Sequence, residues 1–271
     1  MFKDIKQVMK DSVLYGIGNV AVKLVGFILI PLYTDAEYFS TADYGLMGLL
    51  EVTSQILIAV MGLSLYSGLI RWYWDAEYRD KQKTIFFTTL LFTILTSLCI
   101  GSVLWLNVGE LSALLVQQEG YSLGGELPYI LQLLILTSML GAVVEVPQNL
   151  LRLQRKPIYY SLTNIVRLFV TLVLTIYFTI SLHRGVSGVY EAQLVGIVIQ
   201  LLMVLPLVIK NSSCRVDRKC TIQLLVYSYP LVFPAIVGSL LTVFDRYIIN
   251  HFQGLDDVGF YSLGYKVGNT L

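Results

Sequence analysis

The chain has 271 residues, of which 56% are hydrophobic and 14% charged, and its net charge is +1. Mean hydropathy is +0.70. Soluble domains carry about 25% charged residues, so this composition excludes a water-soluble globule, and the near-zero charge gives no case for a nucleic-acid footprint.

Apolar runs of about 20 residues are long enough to cross some 30 Å of hydrocarbon. In chain order they fall at 12–33, 44–70, 84–106, 128–150, 158–181, 190–209 and 222–250, and an eighth starts near 258 and is still apolar at Leu271. Lys3, Lys6 and Lys10 precede the first run, but that run is too long for a signal peptide and no small-residue cleavage site closes it, so no cleavable leader is expected. The loop after the second run holds Arg71, Arg79, Lys81 and Lys83. The loop after the fourth holds Arg152, Arg155 and Lys156, and the loop after the sixth holds Lys210, Arg215, Arg218 and Lys219. With the N-terminal lysines these make 14 of the 19 basic residues, while the opposite loops hold only Arg184 and carry the acids Asp35, Glu37, Glu110, Glu119, Glu126, Asp256 and Asp257. The expectation is a multi-pass inner-membrane protein, and the positive-inside rule puts its N-terminus in the cytoplasm. The expected fold class is all-α, a polytopic transmembrane helix bundle.

Little in the sequence suggests catalysis. Cys99, Cys214 and Cys220 read as free thiols, and the only histidines, His183 and His251, sit in short loops. No GxxxxGK[ST] phosphate loop is present. No catalytic residue, metal ligand or cofactor is therefore assigned, and an enzyme is not expected.

Charges inside the apolar runs are the main functional signal. Lys23, Glu51, Glu145, Arg167, Asp245, Arg246 and Lys266 all lie within them. Each costs about 2.5–3.5 kcal/mol to insert at a helix centre, so such residues should face the bundle interior or a wet cavity. Their spacing agrees. Ser12, Gly16, Asn19, Lys23 and Gly26 share one helical face, as do Ser138, Gly141, Glu145, Gln148 and Arg152, then Ser161, Asn164, Arg167, Thr171 and Thr175, and finally Gly238, Thr242 and Asp245. The small residues are read as helix packing. Lys23, Glu51, Arg167 and the Asp245–Arg246 pair are read as lining a cavity near the midplane. Glu145 either joins them or pairs with Arg152. Trp72, Tyr73 and Trp74 beside Arg71 read as an interfacial aromatic belt, with substrate entry as a second role.

An internal echo is also visible. PLYT followed by TADYGLMGLL resembles YIIN followed by LDDVGFYSLG, at a period of about 215 residues. Either this marks a parallel repeat, with a six-helix lobe at 1–220 and the beginning of a second lobe at 221–271, or two hairpins of similar length coincide. The run still open at Leu271 points to a fragment or a truncated gene product.

GIGNVAVKLVGFILIPLYT with ADYGLMGLLEV, GLSLYSGLIRWYW, and above all YPLVFPAIVGSLLTVFDRYIINHFQGLDDVGFYSLGYKVG resemble the Wzx-type O-antigen and capsule flippases of the multidrug/oligosaccharidyl-lipid/polysaccharide (MOP) exporter superfamily. The resemblance implies a MATE/MOP-like N-terminal six-helix lobe plus the seventh helix and the start of the eighth, where such proteins have twelve or more helices. It further implies flipping of an undecaprenyl-diphosphate-linked oligosaccharide from the cytoplasmic to the periplasmic leaflet, with the lipid bilayer, a polysaccharide polymerase and a chain-length regulator as partners and no nucleic acid. On that reading Lys23, Arg167, Arg246, Asn19, Asn164 and Arg71 are the candidate head-group contacts. Glu51, Asp245 and Glu145 are candidates for coupling-ion or charge-partner roles. The alternatives are a cation-coupled multidrug antiporter, a lipid II or teichoic-acid-precursor flippase, and an inactive half-transporter or scaffold.

Overall fold

The computed structural model describes residues 28–115 and 125–268, and the regular elements among them are all helical. In chain order the helices are α1 (Ile30–Tyr33), α2 (Thr41–Gly62), α3 (Leu65–Trp72), α4 (Gln82–Leu106), α5 (Val108–Leu115), α6 (Leu127–Leu153), α7 (Pro157–Ile176), α8 (Gly185–Asn211), α9 (Arg218–Phe252) and α10 (Leu255–Gly268). Among the described residues six segments are long and apolar enough to cross a membrane: 41–62, 76–106, 127–153, 157–181, 185–211 and 218–241. They correspond to the second to seventh predicted runs. The first run lies almost wholly outside the described residues.

Local chemistry sets the boundaries. Ser40 caps α2 through a reciprocal box: its Oγ accepts the Asp43 N–H at 3.1 Å and its own N–H donates to Asp43 Oδ2 at 2.8 Å. Pro157 opens α7, where its missing N–H costs nothing. The predicted run 44–70 is not one helix. Leu63 and Ser64 adopt left-handed φ values of 45° and 51°, which separates α2 from α3. The strained joint is anchored, since Ser64 Oγ donates to the Leu231 carbonyl of α9 at 3.3 Å.

Contacts gather the loops into two ends. At the basic end, the Gln154 amide donates to Tyr73 Oη (3.0 Å) and Asn211 Oδ1 (2.9 Å), and Lys81 meets Asp217 at 2.5 Å. At the acidic end, Tyr38 stacks on His183, and Asn250 donates to the Leu115 carbonyl at 2.9 Å. The alternation predicted from charge is thus reproduced by packing.

The echo also has a structural counterpart. A Cβ at Gly45 would collide with the Leu255 carbonyl, and one at Gly259 would lie 2.5 Å from the Thr41 carbonyl. Residue 255 is 41 plus 214, and 259 is 45 plus 214, so the two contacts are exchanged copies of one another. Gly48 meets its own equivalent, Ser262. Such reciprocity is the mark of a two-fold axis. α2 and α10 cross there in parallel, both starting at the acidic end, with backbones brought together by small residues.

Candidate functional site

α2, α6, α7 and α8 enclose a polar cavity of about 270 Å³. α6 lines it with Thr137, Gly141, Glu145, Gln148 and Arg152, a stripe at steps of three and four. α7 adds Tyr160, Asn164 and Arg167, α8 adds Gln193 and Gln200, and α2 adds Ser54 and Ile58. Two guanidinium groups face one carboxylate. Arg167 is the tenth residue after Pro157, about 15 Å into the span at 1.5 Å per residue and close to the midplane.

Two directed hydrogen-bond chains organise the wall. A guanidinium can only donate. Arg167 donates to Gln200 Oε1 at 3.2 Å, which turns the Gln200 amide so that its Nε2 donates to Asn164 Oδ1 at 3.0 Å. Asn164 Nδ2 then donates to the Tyr160 carbonyl at 2.9 Å. In the second chain Thr163 Oγ1 donates to that same carbonyl at 2.9 Å, so it can only accept from Gln148 Nε2, at 2.9 Å. Gln148 Oε1 is left buried with no partner among the described residues, as is Thr137 Oγ1. Gly196 makes the first chain possible. A Cβ there would collide with Thr171 Oγ1 and lie 3.3 Å from the Arg167 carbonyl, so a larger residue would push α7 away from α8.

At the basic end of the cavity, Arg152 lies over the Tyr160 ring at 4.6 Å and donates to a Tyr160 hydroxyl, with a longer contact of 3.5 Å to Asn149 Oδ1. Among the described residues no ion pair joins Arg152 to Glu145, so the pairing considered from sequence does not form. Glu145 Oε2 lies instead beside Gly62 of α2.

Of the predicted site residues, the cavity brings together Asn164, Arg167 and Glu145. Lys23 and Asn19 lie outside the described residues. Glu51 is exposed one turn from Ser54, within electrostatic range of Tyr33, Tyr44 and Tyr190, and does not line the cavity. Arg71 is exposed at the end of α3. Arg246 is 7% exposed in a separate corner between α9 and α10, its guanidinium 5.0 Å from the Tyr265 ring centroid. The Asp245 carboxylate is occupied there by the Arg246 N–H at 2.8 Å and by the Tyr261 hydroxyl. Gln193 and Gln200 were passed over in the sequence because α8 reads as a plain apolar run. Their seven-residue spacing, two turns on one face, was the available signal.

Comparisons with known proteins agree with this architecture. The sequence matches the profile of polysaccharide biosynthesis proteins over residues 8–271. No curated protein sequence matches significantly. Among solved structures, the chain is similar to a MATE protein in complex with MaD3S (TM-score 0.70, 16% identity, covering 98% of this chain and 61% of that one). It is also similar to a MATE transporter from Vibrio cholerae (0.68, 17%, 97% and 60%). A third is a MOP superfamily transporter from Pyrococcus furiosus described by the reversed polarity of its binding pocket (0.60, 16%, 90% and 53%). The chain therefore spans little more than half the length of these structures. Its profile match covers nearly every residue, and its helices follow the MATE fold: the chain belongs to the polysaccharide biosynthesis protein family.

Proposed function

We propose that this chain serves in a membrane exporter that flips undecaprenyl-diphosphate-linked oligosaccharide units from the cytoplasmic to the periplasmic leaflet, with its basic end in the cytoplasm. One observation carries the reading: Arg167 sits near mid-membrane in a cavity wall, and its only hydrogen bond among the described residues is to a neutral amide. A half-buried guanidinium with no carboxylate ion pair among the described residues suits a diphosphate, because it offers paired donors in a medium where charge interactions are strong. The family membership supports a polysaccharide substrate. On this reading Arg152, at the basic end, would meet the head group first. Lys23 is proposed as a further contact along the path. Glu145 or Glu51 would answer to a coupling cation. Polymerase and chain-length regulator partners belong to the same proposal.

A multidrug antiporter would be better served by clustered carboxylates and an aromatic lining, whereas this cavity has one carboxylate and one aromatic residue. The test is Arg167→Ala and Arg167→Lys in the full-length protein, reading surface polysaccharide and membrane insertion separately. Loss of polysaccharide with normal insertion is expected for Arg167→Ala. Unchanged polysaccharide would remove Arg167 from the site and, with it, this reading.

A further inference from the structure

Between α2 and α3 the left-handed backbone falls on Leu63 and Ser64, with φ values of 45° and 51°, rather than on the adjacent Gly62. Such backbone is costly for a residue with a side chain, so the surroundings must hold it. Two hydroxyls do so. Thr96 Oγ1 of α4 donates to the Met61 carbonyl at 2.7 Å, and Ser64 Oγ donates to the Leu231 carbonyl of α9 at 3.3 Å. Each has another acceptor ready for a continuous helix. Thr96 Oγ1 already lies 2.9 Å from the Phe92 carbonyl, four residues back on its own helix. Ser64 would reach the Val60 carbonyl by the same step, and the Met61 carbonyl would take the Leu65 N–H. The broken and the straight forms both satisfy these polar groups, as a two-state element inside a bilayer must.

What the joint aims is one face of α3. Ser64, Gly68 and Trp72, at steps of four, meet α9 in antiparallel order: Ser64 at Leu231, Gly68 at Ser228 and Leu224, and Trp72 edge-on to Tyr227 at 5.1 Å. Elsewhere this half of α9 is bare, with Val226, Tyr229 and Phe233 exposed. On its other side α3 packs Leu65 and Leu69 against Ile85 and Phe86 of α4 and Leu150 and Leu151 of α6. Apolar contact of that kind is non-directional and survives a roll of α3. The α9 side depends on a directed hydroxyl bond and a glycine notch, which do not.

We propose that the Leu63–Ser64 joint is a switch. Left-handed, it latches α3 to α9 and closes the basic half of the bundle between them. Straightened, it rolls Ser64, Gly68 and Trp72 off α9 and opens that half sideways to lipid. The α2–α10 crossing keeps its place, because there backbone meets backbone at Gly45 and Gly259. The opening is local to one end and needs no rigid-body motion of the whole bundle. The proposal uses the export reading only for what would pass through the opening.

The test measures distances between spin labels at exposed positions of the full-length, cysteine-free protein in nanodiscs without substrate. Ile70 with Val226 reads the seam, and Glu37 with Phe252 reads the acidic end. Wild type should show a major short and a minor long seam distance. Leu63→Gly removes the cost of left-handed backbone and should deplete the long population. Ser64→Ala should raise the ratio of long to short about 3- to 10-fold, the worth of one hydrogen bond. Ser64→Val adds a β-branch that left-handed backbone disfavours and should raise it further. The acidic-end pair should stay put in every variant. A single seam distance common to all four proteins, or equal shifts at both pairs, overturns the switch. Should Leu63→Gly fail to fold, the order of wild type, Ser64→Ala and Ser64→Val still decides. With no substrate present, these distances come out the same if the Arg167 test defeats the export reading.

Discussion

Arg167 and Arg246 hold the same charge inside the bundle by different means. Arg167 hands one donor to Gln200 and keeps its other face toward a void lined with amides and hydroxyls. Arg246 is pressed against the Tyr265 ring, beside an Asp245 carboxylate already taken by Tyr261 and by the Arg246 backbone N–H. The first arrangement leaves room for a ligand. The second is a packed corner at the pseudo-two-fold crossing of α2 with α10. The same cation inside the bundle thus carries different consequences, decided by whether the neighbouring helices leave space.

The largest effect should come from destroying the corner. In Gly45→Leu a side chain meets the Leu255 carbonyl, a backbone atom that cannot rotate away, and the cost should be about 3 kcal/mol or more, read as lost thermal stability in detergent. Retention of wild-type melting would show that the crossing is not a fixed contact. Next is Arg167→Ala, which should lower transport about 10- to 100-fold through one lost charge-assisted contact, with little change in melting. Arg246→Ala should do the opposite, lowering melting more than transport. If both variants lose transport alike with unchanged stability, the corner also belongs to the substrate path. Gly196→Ala sharpens the cavity side. Separating α7 from α8 by a few tenths of an ångström stretches a 3.2 Å bond, and transport should fall several-fold for about 1–3 kcal/mol of packing strain.

The smallest effect concerns the basic end, where α9 is joined to the earlier helices by exposed ion pairs, Lys81 to Asp217 and Lys219 to Glu77 at 2.7 Å. The hydrogen bond from Lys81 holds the Asp217 carboxyl below its usual range. A depressed carboxylate stabilises the folded state above its unfolded pKa, and that contribution fades as pH falls through the folded value. Thermal stability in detergent should therefore fall slightly on acidification below the ordinary carboxylate range and at high salt, and Asp217→Asn should blunt both dependences. Insensitivity to both would show that apolar packing alone, such as Trp72 against Tyr227, holds α9 there.

Much of this was legible in the sequence. Run length and the fourteen basic residues on alternate loops gave the helix order and the two ends, because a bilayer leaves hydrocarbon-spanning chain few options besides helices. The three- and four-residue steps of Glu145, Gln148 and Arg152, and of Asn164 and Arg167, gave two walls of the cavity. The break at Leu63–Ser64 was not readable, since a left-handed pair of non-glycine residues has no propensity signal and is held by Leu231, far along the chain. Nor was the role of Gly196, whose meaning depends on the helix that approaches it.

What the sequence by itself determined is therefore the solvent, the helices and which face of each is polar, all of which follow from local periodicity and the cost of burying charge. Only the tertiary structure decided which polar faces share a void. It set Arg167 beside Gln200, sent Arg246 to an aromatic corner, and left the Gln148 oxygen unpaired, because hydrogen-bond direction is fixed by partners that meet only after the helices pack.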